Sequence, residues 1–173
     1  QCHTGAAAFA LGPEIAQLNK DFTYTSTGRV ANQLETMDHV MMFTTPLPGS
    51  VSVLDALADP ADTNAPLEER ARAYLHTNCA GCHRPNGPTP STMDLRYSTA
   101  LADTNACDVQ PLGGNLGIPN ARLITPGNAN ASLLIERMQR RDVHGMPPLG
   151  SNVIDTLNIA QMAAWIDGLS GCN

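Results

Sequence analysis

The chain has 173 residues, a formal net charge of −6 and 10 Lys and Arg residues in total. Its length allows one sizeable core, so we expect one compact unit or at most two small ones. Phosphate recognition needs clustered cations, and the few dispersed cations here argue against a nucleic-acid partner. No apolar stretch approaches the roughly 20 residues of a membrane span, so we expect none.

A stretch rich in Pro, Asp and Asn divides the chain. Residues 57–66 (LADPADTNAP) are predicted to be a linker between an N-terminal helical segment, residues 1–56, and a C-terminal domain, residues 67–173. The chain begins with Gln1 rather than Met. Either an export signal has been removed, or the chain is a piece of a larger polypeptide.

Apolar residues at helical spacing predict a mainly α fold, whereas strand signals are weak. The predicted helices cover residues 13–19, 30–42, 66–78, 131–141 and 153–169. Residues 84–130 form a long Pro- and Gly-rich segment, which in a compact domain needs something to wrap. Aromatic residues make up only 4% of the chain, so the core looks thin. A buried cofactor would supply the missing apolar volume.

The string Cys-Ala-Gly-Cys-His contains Cys79, Cys82 and His83 in a C-x-x-C-H motif, which is typical of covalent haem attachment. Two thiols three positions apart can reach the two vinyl groups of one porphyrin, and the following His is then placed under the iron. The motif therefore predicts haem c bound through thioethers of Cys79 and Cys82, with His83 as an axial iron ligand.

Three other interpretations of this motif are weaker. A thioredoxin-type redox pair needs its C-x-x-C at a helix N-terminus, where the helix dipole lowers the thiol pKa, whereas here the predicted helix ends at the motif. A zinc site needs four ligands, and no second C-x-x-C or H-x-x-x-H is present. An incidental disulfide or an inert pair of thiols is weaker still.

The second axial ligand is predicted at Met146, in the string Gly-Met-Pro-Pro-Leu between the last two predicted helices. Rigid prolines after a Met hold its thioether in a fixed loop, and downstream of C-x-x-C-H such a Met is most economically an iron ligand. His144 is the rival candidate and would make a bis-His haem. Met138 is explained better by the apolar stripe of its helix.

Residues 66–170 resemble a class I c-type cytochrome in the order of a helix leading into CAGCH, a GMPP loop and a C-terminal helix. The resemblance implies cytochrome c-like helices around a covalent haem, with the first and last helices crossing. The side chains expected at the crossing are Ala71, Tyr74, Met162, Trp165 and Ile166. The long 84–130 segment departs from the family pattern. More loosely, the whole chain resembles the cytochrome-like C-terminal part of large exported bacterial proteins.

The three cysteines outside the motif are Cys2, Cys107 and Cys172. Covalent haem attachment takes place outside the cytoplasm, where disulfides persist. We therefore predict a periplasmic or extracellular protein of an exported bacterial type. A bridge between Cys107 and Cys172 is predicted, which would tie the long loop to the C-terminus.

Cys2 and His3 form half of a second C-x-x-C-H motif. One interpretation is a second haem held by Cys2, with His3 as a ligand and His39, Met41 or Met42 opposite. The alternative is an ordinary chain terminus or a third disulfide partner, with His39 on a helix surface.

The predicted function is electron transfer by one His/Met-ligated haem, without enzymatic activity, and with a transient redox protein as partner. The alternative is a di-haem peroxidase-like protein or multi-haem relay that uses the second haem, and a third option is a docking domain with haem as core. Arg96, Tyr97 and Arg122 in the long segment are candidate partners of the haem propionates.

Overall fold

The structure is a computed structural model that describes residues 3–173. The described chain forms two compact units, one of residues Gly12–Ala58 and one of residues 3–11 together with residues 59–173. The helices are α1 (Ile15–Leu18), α2 (Gln33–His39), α3 (Leu67–Asn78), α4 (Leu133–Met138) and α5 (Thr156–Gly168), and the strands are β1 (Asp21–Tyr24) and β2 (Arg29–Asn32). Among the described residues, no helix has the length and hydropathy that a membrane span requires.

The predicted fold class, mainly α with cytochrome c-like helices, was wrong. Helical turns cover about 30% of the chain, and β1 and β2 form a two-stranded antiparallel sheet. Three of the five α-helices span only four to seven residues. Apolar periodicity overestimated their lengths because side-chain caps, turns and irregular packing end them early. The architecture is therefore a set of short helices and one hairpin, joined by long irregular segments.

The hairpin in residues 12–58 replaces the start of the helix predicted over residues 30–42. Phe22 and Tyr24 are two positions apart on β1, so their side chains share one face of the strand, and their rings meet edge to face with 5.2 Å between centroids. Gly28 closes the turn at a φ of +69°, a conformation that glycine adopts without steric cost. The Asn32 side chain then accepts from the backbone N–H of Leu34, so that α2 begins only after β2.

Helices α3 and α5 pack against each other in the larger unit. Pro66 precedes α3, and two glutamates occupy its first turn. Asp155 caps α5 by accepting from the backbone N–H of Asn158 at 3.2 Å. Four of the residues expected at the helix crossing belong to one apolar cluster, and Tyr74 packs against it; the four are Ala71, Met162, Trp165 and Ile166.

The long segment between α3 and α4 packs on this core rather than forming helices. Leu95, Leu101 and Ile124 are buried in the apolar cluster. The buried Arg72 guanidinium of α3 donates to two backbone carbonyls of the segment, and a disulfide joins Cys107 to Cys172, the pair predicted from the sequence. Contacts to α3, α5 and the C-terminus thus order a segment that has almost no regular structure.

One buried carboxylate fixes the start of this segment. Asp94 accepts hydrogen bonds from the Arg96 guanidinium at 2.6 and 2.9 Å and from the Thr99 hydroxyl at 2.9 Å. The Arg96 hydrogen bond is the main reason that the pKa of Asp94 falls to about 2. The ionised form of Asp94 is therefore part of the folded structure.

Candidate functional site

The C-x-x-C-H motif continues directly from the C-terminal end of α3. The Cys79 N–H still donates to the Leu75 carbonyl at 2.9 Å, and the His83 N–H donates to the Cys79 carbonyl at 2.9 Å. The His83 carbonyl in turn accepts from the Leu95 N–H at 2.9 Å, which ties the motif to the long segment. Three backbone hydrogen bonds therefore hold the motif in a compact turn.

A cavity of about 650 Å³ lies beside this turn, and we call it the large cavity. Its size is typical of sites for small molecules and cofactors. Cys79, His83 and Met146 all line it, whereas Cys82 is not among its lining residues. The apolar side chains of its wall come from the long segment, α4 and α5, and include Leu95, Val109, Leu123, Ile124, Leu133, Leu134 and Ile159.

Cys79 and Cys82 both carry thiols in the structure. Burial, together with the neighbouring Cys82, raises the pKa of the Cys79 thiol to about 12. A nucleophilic redox cysteine needs a lowered pKa instead. The raised value argues against the thioredoxin-type interpretation.

His83 has a polar atom that the protein does not satisfy. Its Nδ1 is buried and has no hydrogen-bond partner among the described residues. Burial, and then the positive charge of Arg137, lower the pKa of His83, so the imidazole is neutral at pH 7. A neutral imidazole is the form that binds metals.

Met146 is held against α4 by the backbone. Its N–H donates to the Arg137 carbonyl at 2.9 Å, and the preceding Gly145 is buried, with its N–H donating to the Asp142 carbonyl at 2.9 Å. A Cβ on Gly145 would press on the Arg140 carbonyl, so the close approach requires glycine. These contacts place Met146 at the wall of the large cavity.

Two further methionines, Met93 and Met138, also line the large cavity. Sequence reasoning had treated Met138 only as part of the apolar stripe of α4. It is buried in the core cluster as well. The rival ligand His144 is exposed and does not belong to the wall.

A pair of arginines at the end of α4 was not recognised from the sequence as part of the site. Arg137 and Arg141 line the large cavity, whereas Arg140 does not and instead pairs with Glu136 and Asp142. The helix dipole alone accounts for cations near a helix C-terminus, so the residue types by themselves give no sign of a cavity. Arg137 lies in the last turn of α4 and Arg141 lies beyond its end, so helical spacing does not place the two at one cavity wall.

The three residues predicted to bind propionates lie elsewhere. Arg96 pairs with Asp94 at 2.6 Å, and Arg122 pairs with Asp108 at 3.2 Å. The Tyr97 N–H donates to a ring nitrogen of His76. None of the three predicted residues is among those that line the large cavity.

The structure describes only part of the second haem site that the sequence predicts at Cys2 and His3. Cys2 lies outside the described residues. The ring Nδ1 of His3 lies 2.8 Å from the Phe9 carbonyl oxygen. His39 is exposed at the end of α2, in the unit of residues Gly12–Ala58.

The part of the chain that the structure describes contains no group of three or more His, Cys, Asp or Glu side chains arranged to hold a metal ion. Comparison of the chain with protein-family profiles, curated proteins and solved structures finds no significant match.

Proposed function

We propose that this chain is an electron carrier, in which Cys79 and Cys82 would hold a covalent haem c and His83 and Met146 would bind its iron. One observation carries the proposal. His83 of the C-x-x-C-H motif and Met146, which is distant along the chain, line the same apolar cavity. Thioether attachment and His/Met ligation need that combination of residue types.

The chemistry of the surrounding residues fits a haem. The cavity wall is mainly apolar, as a porphyrin face requires, and its volume of about 650 Å³ is that of a cofactor site. The His83 imidazole is neutral and has one buried nitrogen without a protein partner. Burial raises the pKa of the Cys79 thiol, which disfavours the thiolate form that a redox nucleophile needs.

When bound, the haem would supply an iron that accepts and releases one electron. The residues of the chain would hold the group in place. His83 is anchored by the turn after α3, and Met146 is anchored to α4 through its N–H. A His/Met pair raises the reduction potential relative to a bis-His pair, so we expect a positive midpoint potential.

The expected setting is the periplasm or the extracellular space of an exporting bacterium. Covalent haem attachment occurs there, and the disulfide between Cys107 and Cys172 is compatible with an oxidising compartment. The net charge of −6 favours a redox protein partner with a basic surface and a brief, salt-sensitive encounter.

The test is export of the chain in a bacterium that makes c-type cytochromes, followed by haem staining after denaturing electrophoresis. The wild-type chain should retain haem, and the Cys79→Ala/Cys82→Ala variant should lose it. The Cys107→Ala/Cys172→Ala variant removes the same number of cysteines outside the motif and should retain haem. Absence of covalent haem from the wild-type chain would overturn the proposal. A redox titration of the purified wild-type protein then checks the positive midpoint potential.

A further inference from the structure

We propose that Arg137 binds a carboxylate of the cofactor and so fixes which edge of the porphyrin faces the end of α4. This inference rests on the proposed haem site and assigns an anion-binding position within it. The observation behind it is a guanidinium, without an acidic partner among the described residues, at the wall of an apolar cavity.

The hydrogen bonds of Arg137 leave most of its donors available. A guanidinium has five N–H donors. The structure uses one of them, from Nη1 of Arg137 to the His144 carbonyl at 3.0 Å. Arg137 is half-buried, and its other donors have no partner among the described residues, so they are available to an anion at the cavity wall. A carboxylate is the ligand that best matches a planar guanidinium, since it can accept two parallel hydrogen bonds.

The neighbouring arginines show why Arg137 is the binding residue. Arg140 already pairs with Glu136 at 2.6 Å and with Asp142 at 3.0 Å, away from the cavity wall.

The Arg141 guanidinium donates to the carbonyls of Met138, Arg140 and Val153, and therefore fastens the end of α4 to the chain before α5. Its buried Nε has no partner among the described residues. Arg141 thus adds positive charge to the same end of the cavity, while Arg137 supplies the open donors.

The charged side chains of the wall are two arginines and one carboxylate, which leaves a net positive charge. Asp155 is the acidic residue that lines the large cavity, and it accepts from the Tyr74 hydroxyl at 3.2 Å and from Asn158. Burial, and then Asp155, raise the pKa of Tyr74, so the phenol stays neutral. An entering anion would therefore meet net positive charge at the end of α4.

The test compares haem-loaded wild type with Arg137→Gln and with the control Arg140→Gln, which lies at the same helix end but outside the wall. Loss of the positive charge should lower the reduction equilibrium constant at pH 7 by about tenfold, or about 59 mV for one electron. The same variant should gain a pH-dependent potential between about pH 5 and 7, because the carboxylate loses its cationic partner. Arg140→Gln should change the constant by less than about twofold.

The outcomes separate this inference from the proposed function. If all three proteins carry covalent haem and Arg137→Gln behaves like Arg140→Gln, the role of Arg137 is wrong while the haem site stands. If none carries haem, the proposed function itself fails. NMR titration of the propionate signals in the wild-type protein gives a second test that needs no variant. A carboxylate pKa near Arg137 at or above the ordinary value of about 4.3 would overturn the inference.

Discussion

Removal of the disulfide between Cys107 and Cys172 should destabilise the protein by about 4 kcal/mol. The bridge spans a sequence separation of 65 residues. The relation between loop length and the chain entropy of the unfolded state gives about 4 kcal/mol for such a loop. Cys107 also packs against the core, so its replacement by Ala adds about 1 kcal/mol of lost packing. Domains of this size have a free energy of unfolding of about 5–15 kcal/mol, which makes the expected loss a large fraction.

The assay is guanidinium unfolding of the haem-loaded protein at 25 °C, followed by far-UV circular dichroism. The Cys107→Ala/Cys172→Ala variant should unfold at a clearly lower denaturant concentration than the wild type. Wild-type protein treated with a dithiol reductant should approach the variant, because the reductant cleaves the disulfide and leaves thioether bonds intact. A loss below about 1 kcal/mol, or a reductant that changes nothing, would show that the bridge does not constrain the long segment.

Three further predictions concern ligation, packing and pH. Met146→Leu should abolish the sulfur-to-iron absorption band of the oxidised protein and lower its midpoint potential. The control Met138→Leu should keep the band. The reverse result would show that Met138, and not Met146, is the iron ligand. Gly87→Ala should cost about 3 kcal/mol in chemical unfolding, because its Cβ would overlap two backbone carbonyls, whereas Gly171→Ala has open space and should be neutral. The pKa of Asp94 is about 2, below the ordinary 3.8, so it stabilises the fold above about pH 4 and loses this effect as the pH falls towards 2. Asp94→Asn should therefore have a lower free energy of unfolding than the wild type at pH 7, and the difference between the two proteins should shrink as the pH falls towards 2. The same pH dependence of the free energy of unfolding in both proteins would contradict this role of Asp94.

The longer helices could be predicted from the sequence because local signals mark both ends. The helix predicted over residues 66–78 is Leu67–Asn78 in the structure, and the one predicted over 153–169 is Thr156–Gly168. Each combines an apolar stripe with a recognisable start, Pro66 in one case and the Asp155 cap in the other.

The hairpin and the true length of α4 could not be predicted in this way. Each strand has only four residues, too few for alternation to stand out, and the hairpin depends on cross-strand pairing that no single window contains. Helix α4 was predicted over residues 131–141 but is Leu133–Met138. Its beginning is replaced by a 3-10 turn, where the Asn128 side chain accepts from the Ala131 N–H, and this local competition is not visible in apolar periodicity.

The candidate site shows the same division between local and distant information. The C-x-x-C-H motif is local, so its residues could be named directly from the sequence. The cationic end of the cavity depends on where the end of α4 lies relative to Met146 and the long segment, which is a matter of tertiary packing. Arg137 therefore looked like an ordinary helix-end cation, while Arg96 and Arg122, which looked available, are engaged by nearby aspartates.

The most direct test of the account is the mass of the denatured protein after export in a bacterium that makes c-type cytochromes. Covalent haem survives denaturation, so the account predicts a mass above that of the polypeptide by at least one haem. After proteolysis, one added haem should remain on the peptide that carries Cys79 and Cys82. A polypeptide mass without added haem, or haem absent from that peptide, would contradict the central claim.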